Sequence, residues 1–148
     1  MSIDSPTDGT TRRLMINLRN APVVAVDIGN STVQVGLFVD GSNMPDGVLV
    51  LSARKPDYTK LARILPEIPC LWYVASVVRQ VAIDLENWCA SNRPSDSYHT
   101  LRYHDLPLEI ALERPDLVGM DRLAVAVAAN QLRDASVPAL VVDAGSAI

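Results

Sequence analysis

The sequence predicts an α/β fold, a mixed sheet with helices packed on it, and three observations carry that prediction. Near its start the chain has three short apolar runs with β-type patterning, joined by tight polar turns. A run that is apolar on both alternating faces, CLWYVASVV from Cys70 to Val78, reads as a central strand covered by helices on each side. Helical-period and strand-like segments then alternate to the end of the chain.

Residues 1–20, MSIDSPTDGTTRRLMINLRN, are polar and turn-rich and are expected to form a flexible extension. Arg12 and Arg13 lead only into LMINL, too short and interrupted for a signal-peptide core. Val23 to Val26 is short and β-branched, as a buried strand would be, and Val33, Val35, Leu37 and Val39 alternate as a second strand. Between them Gly29, Asn30, Ser31 and Thr32 form a hairpin turn, because Gly and Asn tolerate positive φ and the hydroxyls can bond local backbone. DGSNMPDG is a dense turn signal, and Val48 to Ala53 supplies a third strand, completing an antiparallel meander.

Asp57 to Leu65 starts on an acidic residue, places Tyr58, Leu61, Ala62 and Leu65 at helical spacing, and is stopped by Pro66. After the central strand, residues 79–92 return as an amphipathic helix through Val81, Leu85 and Trp88. SYHTLRY from Ser97 reads as a strand, and Asp105 to Val118, with Pro107 and Pro115, as a long irregular connection of the kind that is often functional. A helix is expected from about Asp121, and PALVVDAGSAI as a last strand from Pro138.

At 148 residues, 49% of them hydrophobic, one domain with a sizeable core is expected. Thirteen basic and seventeen acidic residues are interspersed without long blocks, for a formal charge of -4, so neither a nucleic acid nor an anionic membrane is an expected partner. No apolar run approaches the roughly 18 residues of a membrane helix, and a cytoplasmic protein is expected. Cys70 and Cys89 lie in apolar segments with no CxxC, and read as two buried thiols rather than a disulfide or a zinc site. His99 and His104 read as surface or hydrogen-bonded side chains. Asn30-Ser31-Thr32 matches a glycosylation sequon, which is discounted without export.

Two strands end alike: VVAVDIGNST from Val23 and LVVDAGSAI from Leu140 both run apolar strand, Asp, one residue, Gly, small polar. The first can be read as an ordinary hairpin with an aspartate at its lip. It can also be read as a phosphate site: Gly29 lets backbone approach an anion, successive N–H groups form a nest, Ser31 and Thr32 add donors, and Asp27 could hold Mg²⁺ through water. A second copy at Asp143, Gly145 and Ser146 would let two turns grip a polyphosphate. No Walker A loop, dinucleotide fingerprint or GxSxG elbow is present. Asp121 reads either as a helix N-cap or as a proton acceptor facing a substrate hydroxyl, with Arg122 available to an anionic oxygen.

VAVDIGNSTVQVGLF, ASVV at Ala75, PDLVGMDRLAVAVAA at Pro115 and VVDAGSAI at Val141 resemble, in that order, the motifs of type III pantothenate kinase, the CoaX type, over Val23 to Ile148. The resemblance implies a ribonuclease H-like βββαβαβα core of the acetate and sugar kinase, Hsp70 and actin superfamily. It implies transfer of the ATP γ-phosphoryl to the hydroxyl of pantothenate, the first step of coenzyme A biosynthesis, by a homodimer that needs Mg²⁺ and a monovalent cation, K⁺ or NH₄⁺. Carried onto matching positions, Asp27, Ile28, Gly29, Asn30, Ser31, Thr32, Val33 and Gln34 would line the ATP phosphates. Gly119, Met120, Asp121 and Arg122 would line pantothenate, with Asp121 as proton acceptor; Asp143 would ligate the monovalent cation and Ser146 touch ATP. Leu112 stands where the family usually has a substrate-contacting tyrosine. Family members continue into a second lobe, so residues 21–148 are expected to be the first lobe of a two-lobed kinase, inactive alone. A non-catalytic ligand- or protein-binding relative, as the Bvg accessory factor relatives were first regarded, and a sugar or acetate kinase are the rival expectations.

Overall fold

The computed structural model describes residues 20–142. Among the described residues five strands and three helices, in the expected order, build one sheet with helices on both faces: β1 (Val23–Ile28), β2 (Thr32–Phe38), β3 (Gly47–Ser52), α1 (Tyr58–Ile64), β4 (Leu71–Ser76), α2 (Arg79–Asn92), β5 (Ser97–Thr100) and α3 (Met120–Leu132). The strands lie in the order β3-β2-β1-β4-β5. The first three pair antiparallel, whereas β4 joins β1, and β5 joins β4, in parallel. The mixed sheet and the meander are therefore as the alternation predicts.

Period-two alternation divides the sheet into two unlike faces. Val24, Val26, Ile28, Val33, Val35, Leu37, Trp72 and Val74 point to one side, where Leu61 of α1 and Leu85 and Cys89 of α2 close over them; this is the core. Ala25, Asp27, Gln34, Gly36, Tyr73 and Ala75 face the other side, which α3 crosses.

Side chains terminate the elements. The Asp57 carboxylate caps α1 by accepting the Thr59 N–H at 3.1 Å. β4 is shorter than Cys70 to Val78 because carboxylate and hydroxyl oxygens intercept its flanking amides: Cys70 N–H donates to Asp96 at 3.1 Å and Val78 N–H to Ser76 Oγ at 3.0 Å. β5 ends at Thr100 rather than continuing to Tyr103, because Tyr103–Asp105 turns into a 3-10 helix in which Asp105 accepts the Arg102 N–H at 2.8 Å. Between β2 and β3, Asp40 and Gly41 take positive φ values of 57° and 71°, the backbone of a type I′ Asp-Gly turn.

One expected strand is corrected. Pro138 to Val142 forms no strand, and Leu140 and Val142 are 90% and 82% exposed. A strand needs a hydrogen-bonding neighbour, and among the described residues none pairs with this segment. The expected extension, residues 1–20, lies outside the described residues save for Asn20.

Both cysteines are buried free thiols. Burial, reinforced by the Asp96 carboxylate, pushes Cys70 up, and burial pushes Cys89 from 9.0 to about 12. Thiolate is the nucleophile, so iodoacetamide at pH 8 is expected to leave both thiols unmodified in the native chain and to alkylate both in denaturant. Fast native labelling would contradict the burial. The unfolded thiol ionises near 9.0 and the folded Cys89 near 12, so its contribution to stability is complete below pH 9 and is lost as pH rises between the two values.

Candidate active site

The C-terminal ends of the parallel strands β1 and β4 meet at the point where the sheet changes from parallel to antiparallel. In open α/β sheets ligands bind outside such strand ends, and a cavity of about 900 Å³ opens there. Its floor is the sheet face bearing Ala25 and Ala75, and one wall is α3, where Ala124 and Ala128 keep the side chains short. Small residues on both surfaces hold the space open.

The β1–β2 turn forms one end of the cavity through Asp27, Gly29, Asn30, Ser31, Thr32 and Gln34. Three contacts fix its shape: Gly29 N–H donates to Thr32 O at 2.9 Å, Ala53 N–H to Ser31 O at 2.9 Å, and Val77 N–H to Ile28 O at 3.0 Å. No positive φ occurs in this turn, in contrast to the expectation from Gly29 and Asn30. The Gly29 to Thr32 bond closes the loop with ordinary backbone angles instead. It also engages the Gly29 amide and leaves those of Asn30 and Ser31 directed to no backbone acceptor among the described residues. Asp27 is half-buried inside β1, with Gln34 and Ala75 as its register neighbours on either side.

Strand alternation decides which of the expected residues reach the cavity. Ile28 and Val33 are 0% and 2% exposed and belong to the opposite, core face, so their side chains do not line it. Leu112, on the long connection, is 57% exposed and is not among the lining residues. Nor does Met120 line the cavity, although Gly119, Asp121 and Arg122 do. Asp143 and Ser146 lie outside the described residues.

The start of α3 differs from the N-cap reading of Asp121. Gly119 occupies the cap and makes no side-chain bond, while Asp121 stands one residue inside the helix. Among the described residues its Oδ1 accepts only the neighbouring Arg122 N–H, at 2.9 Å, so it does not serve as the side-chain cap. The half-buried carboxylate is presented to the cavity.

Gly119 makes that presentation possible. A Cβ at this position would collide with the Asp121 carboxylate and lie 3.5 Å from Val77 Cγ1. The φ of -58° suits alanine, and a carboxylate can swing aside. Gly119→Ala is therefore expected to cost the fold no more than about 1 kcal/mol as a poorer cap. It should nevertheless lower turnover about tenfold or more by misplacing Asp121. A thermal melt beside a rate assay checks this, and a fully active Gly119→Ala would rule it out.

Sequence reasoning missed Tyr73, Val77 and Leu101, which line the cavity from β4 and from the ends of β4 and β5. The signal was the β1–β4 register, which sets Tyr73 opposite Ala25 and Ala75 opposite Asp27. It becomes readable only once the two strands are known to be neighbours.

Among the described residues no three His, Cys, Asp or Glu side chains gather as a metal cage. Asp27 and Asp121 are the carboxylates of the cavity wall. One or two carboxylates completed by water and phosphate oxygens is the donor set that suits Mg²⁺. No described helix is long and apolar enough to cross a membrane.

This architecture, a mixed sheet flanked by helices with a polar turn at the end of its first strand, is the actin, Hsp70 and sugar kinase-like α/β fold. The model of the type III pantothenate kinase family matches residues 23–148, and the chain belongs to that family. Membership makes it a transferase of the kinase kind, with ATP and a small molecule as its substrates. A search of curated proteins found no match.

Proposed function

We propose that the protein transfers the γ-phosphoryl group of ATP to the hydroxyl of pantothenate, giving phosphopantothenate and ADP, the first step of coenzyme A biosynthesis. The observation that carries this reading is the single cavity gathering the Asp27–Gln34 turn and the Gly119–Arg122 helix start on two sides of the same strand ends. Phosphoryl transfer depends mainly on positioning and charge neutralisation, and two facing recognition elements supply the first.

The Asn30 and Ser31 amides and the Ser31 and Thr32 hydroxyls would hold phosphate oxygens, with Gln34 beside them. Asp27 would hold Mg²⁺ through water; the ion, when bound, offsets charge on the phosphoryl oxygens. Asp121 would take the proton from the acceptor hydroxyl as its oxygen bonds to the γ-phosphorus and the bond to ADP breaks. Arg122 would meet the acceptor carboxylate. We assign the monovalent cation, K⁺ or NH₄⁺, to Asp143 and an ATP contact to Ser146. In this reading residues 21–148 are one lobe of a cytoplasmic homodimer, and a second lobe completes the nucleotide site.

The test is direct. Protein expressed from the complete reading frame is mixed with ATP, Mg²⁺, K⁺ and pantothenate, and phosphopantothenate is measured. Its formation, with dependence on K⁺ or NH₄⁺, is expected. Turnover with sugars or acetate but not pantothenate would overturn the acceptor, and turnover with none of these would point to a non-catalytic relative.

A further inference from the structure

The proposed acceptor carries amide, hydroxyl and carboxylate groups along an extended chain, yet the sheet floor beneath α3 is mostly apolar, formed by Ala25, Ala75 and Val77. Away from Asp27 and Gln34 at the turn end, Tyr73 is the exception. It occupies β4 two residues before Ala75, about 7 Å along the strand from the level of Asp27. Although β4 is an interior strand, Tyr73 is 39% exposed, because its neighbour on the β1 side is the small Ala25 and α3 shows short side chains in this region. The ring is stacked on His99 of β5, with centroids 5.5 Å apart and planes at 23°. Stacking restrains the ring, so little side-chain entropy is lost when a ligand engages it.

We propose that Tyr73 is a specificity-determining residue of the acceptor half of the cavity, its ring forming an apolar platform and its phenol hydrogen bonding a polar group of the pantothenate chain. This rests on the kinase reading above. His99 is then a positioning residue, acting through the stacked ring. Tyr73 is separated from the phosphate end by lying on the far side of Ala75 from the turn, and it lines the same cavity as Ala124 and Ala128 of the helix that carries Asp121 and Arg122.

The experiment compares Tyr73→Phe with the parent, both from the complete reading frame. Phenylalanine keeps the ring and its stack, so the melting temperature should not move. Loss of one hydrogen bond is expected to raise KM for pantothenate about three- to tenfold, with kcat and KM for ATP little changed. His99→Leu should raise the same KM to a lesser degree. An unchanged pantothenate KM in Tyr73→Phe, or a change confined to ATP, overturns the assignment and leaves the kinase reading intact. If the parent binds pantothenate without turnover, calorimetric Kd values replace KM with the same expectation. A parent that neither binds nor phosphorylates pantothenate overturns both.

Discussion

Asp121→Asn is expected to reduce kcat for phosphoryl transfer by about a hundredfold to ten-thousandfold, the range for a positioned proton acceptor, while the chain stays folded. The carboxylate sits near the start of α3 and, among the described residues, accepts only the Arg122 N–H. Asparagine keeps an oxygen in the same place and can accept that bond, but cannot take a proton from a hydroxyl. Removing a negative charge from the first turn weakens the helix by only about 0.3–1 kcal/mol. The measurement is a steady-state rate with the melting temperature recorded alongside. A variant that turns over within about threefold of the parent would remove Asp121 from the chemistry, since that is below any general-base contribution.

Asp96→Ala should have the largest effect on the fold. Its side chain is only 3% exposed and lies between the start of β4 and the end of α2. Oδ1 accepts the Cys70 N–H at 3.1 Å; Oδ2 accepts Trp72 Nε1–H at 2.8 Å and Arg93 Nε–H at 2.9 Å. Arg93 in turn donates to Ile68 O at 2.8 Å. Alanine would leave a part-buried guanidinium, an indole N–H and a main-chain N–H without their acceptor. Breaking a buried pair in this way costs about 3–5 kcal/mol, or about 12–20 °C in melting temperature for a domain of this size. Asp96→Asn retains acceptor capacity without charge and should fall between. Melting temperatures of Asp96→Ala and the parent within 2 °C of each other, roughly half a kcal/mol on the same scale, would show that the network contributes little.

Much of this architecture was readable from residues alone because period two and period 3.6 leave different marks. The α2 span, Arg79–Asn92, coincides with the segment whose Val81, Leu85 and Trp88 repeat at helical spacing. The meander followed from alternation and from the Asp40-Gly41 turn. Positions that depend on what lies beside a segment were harder. CLWYVASVV is apolar on both faces, so nothing local separates buried Trp72 from Tyr73 on the cavity side. A carboxylate near a helix start looks the same whether it caps the helix or stands inside it, as Asp121 does. Leu112 lies between two prolines on an irregular connection, where no period gives a direction. The strand expected at Pro138 failed because strand propensity without a partner does not make a strand.

The two faces of the sheet divide labour unequally. Nearly all of the deeply buried side chains lie on the α1 and α2 side, while α3 contributes Leu123 alone to the buried set. The helix presenting Asp121 and Arg122 is thus a graft onto a scaffold that closes its core without it. Substitutions at its cavity-lining positions Ala124 and Ala128 are therefore expected to cost the frame that carries the β1–β2 turn little.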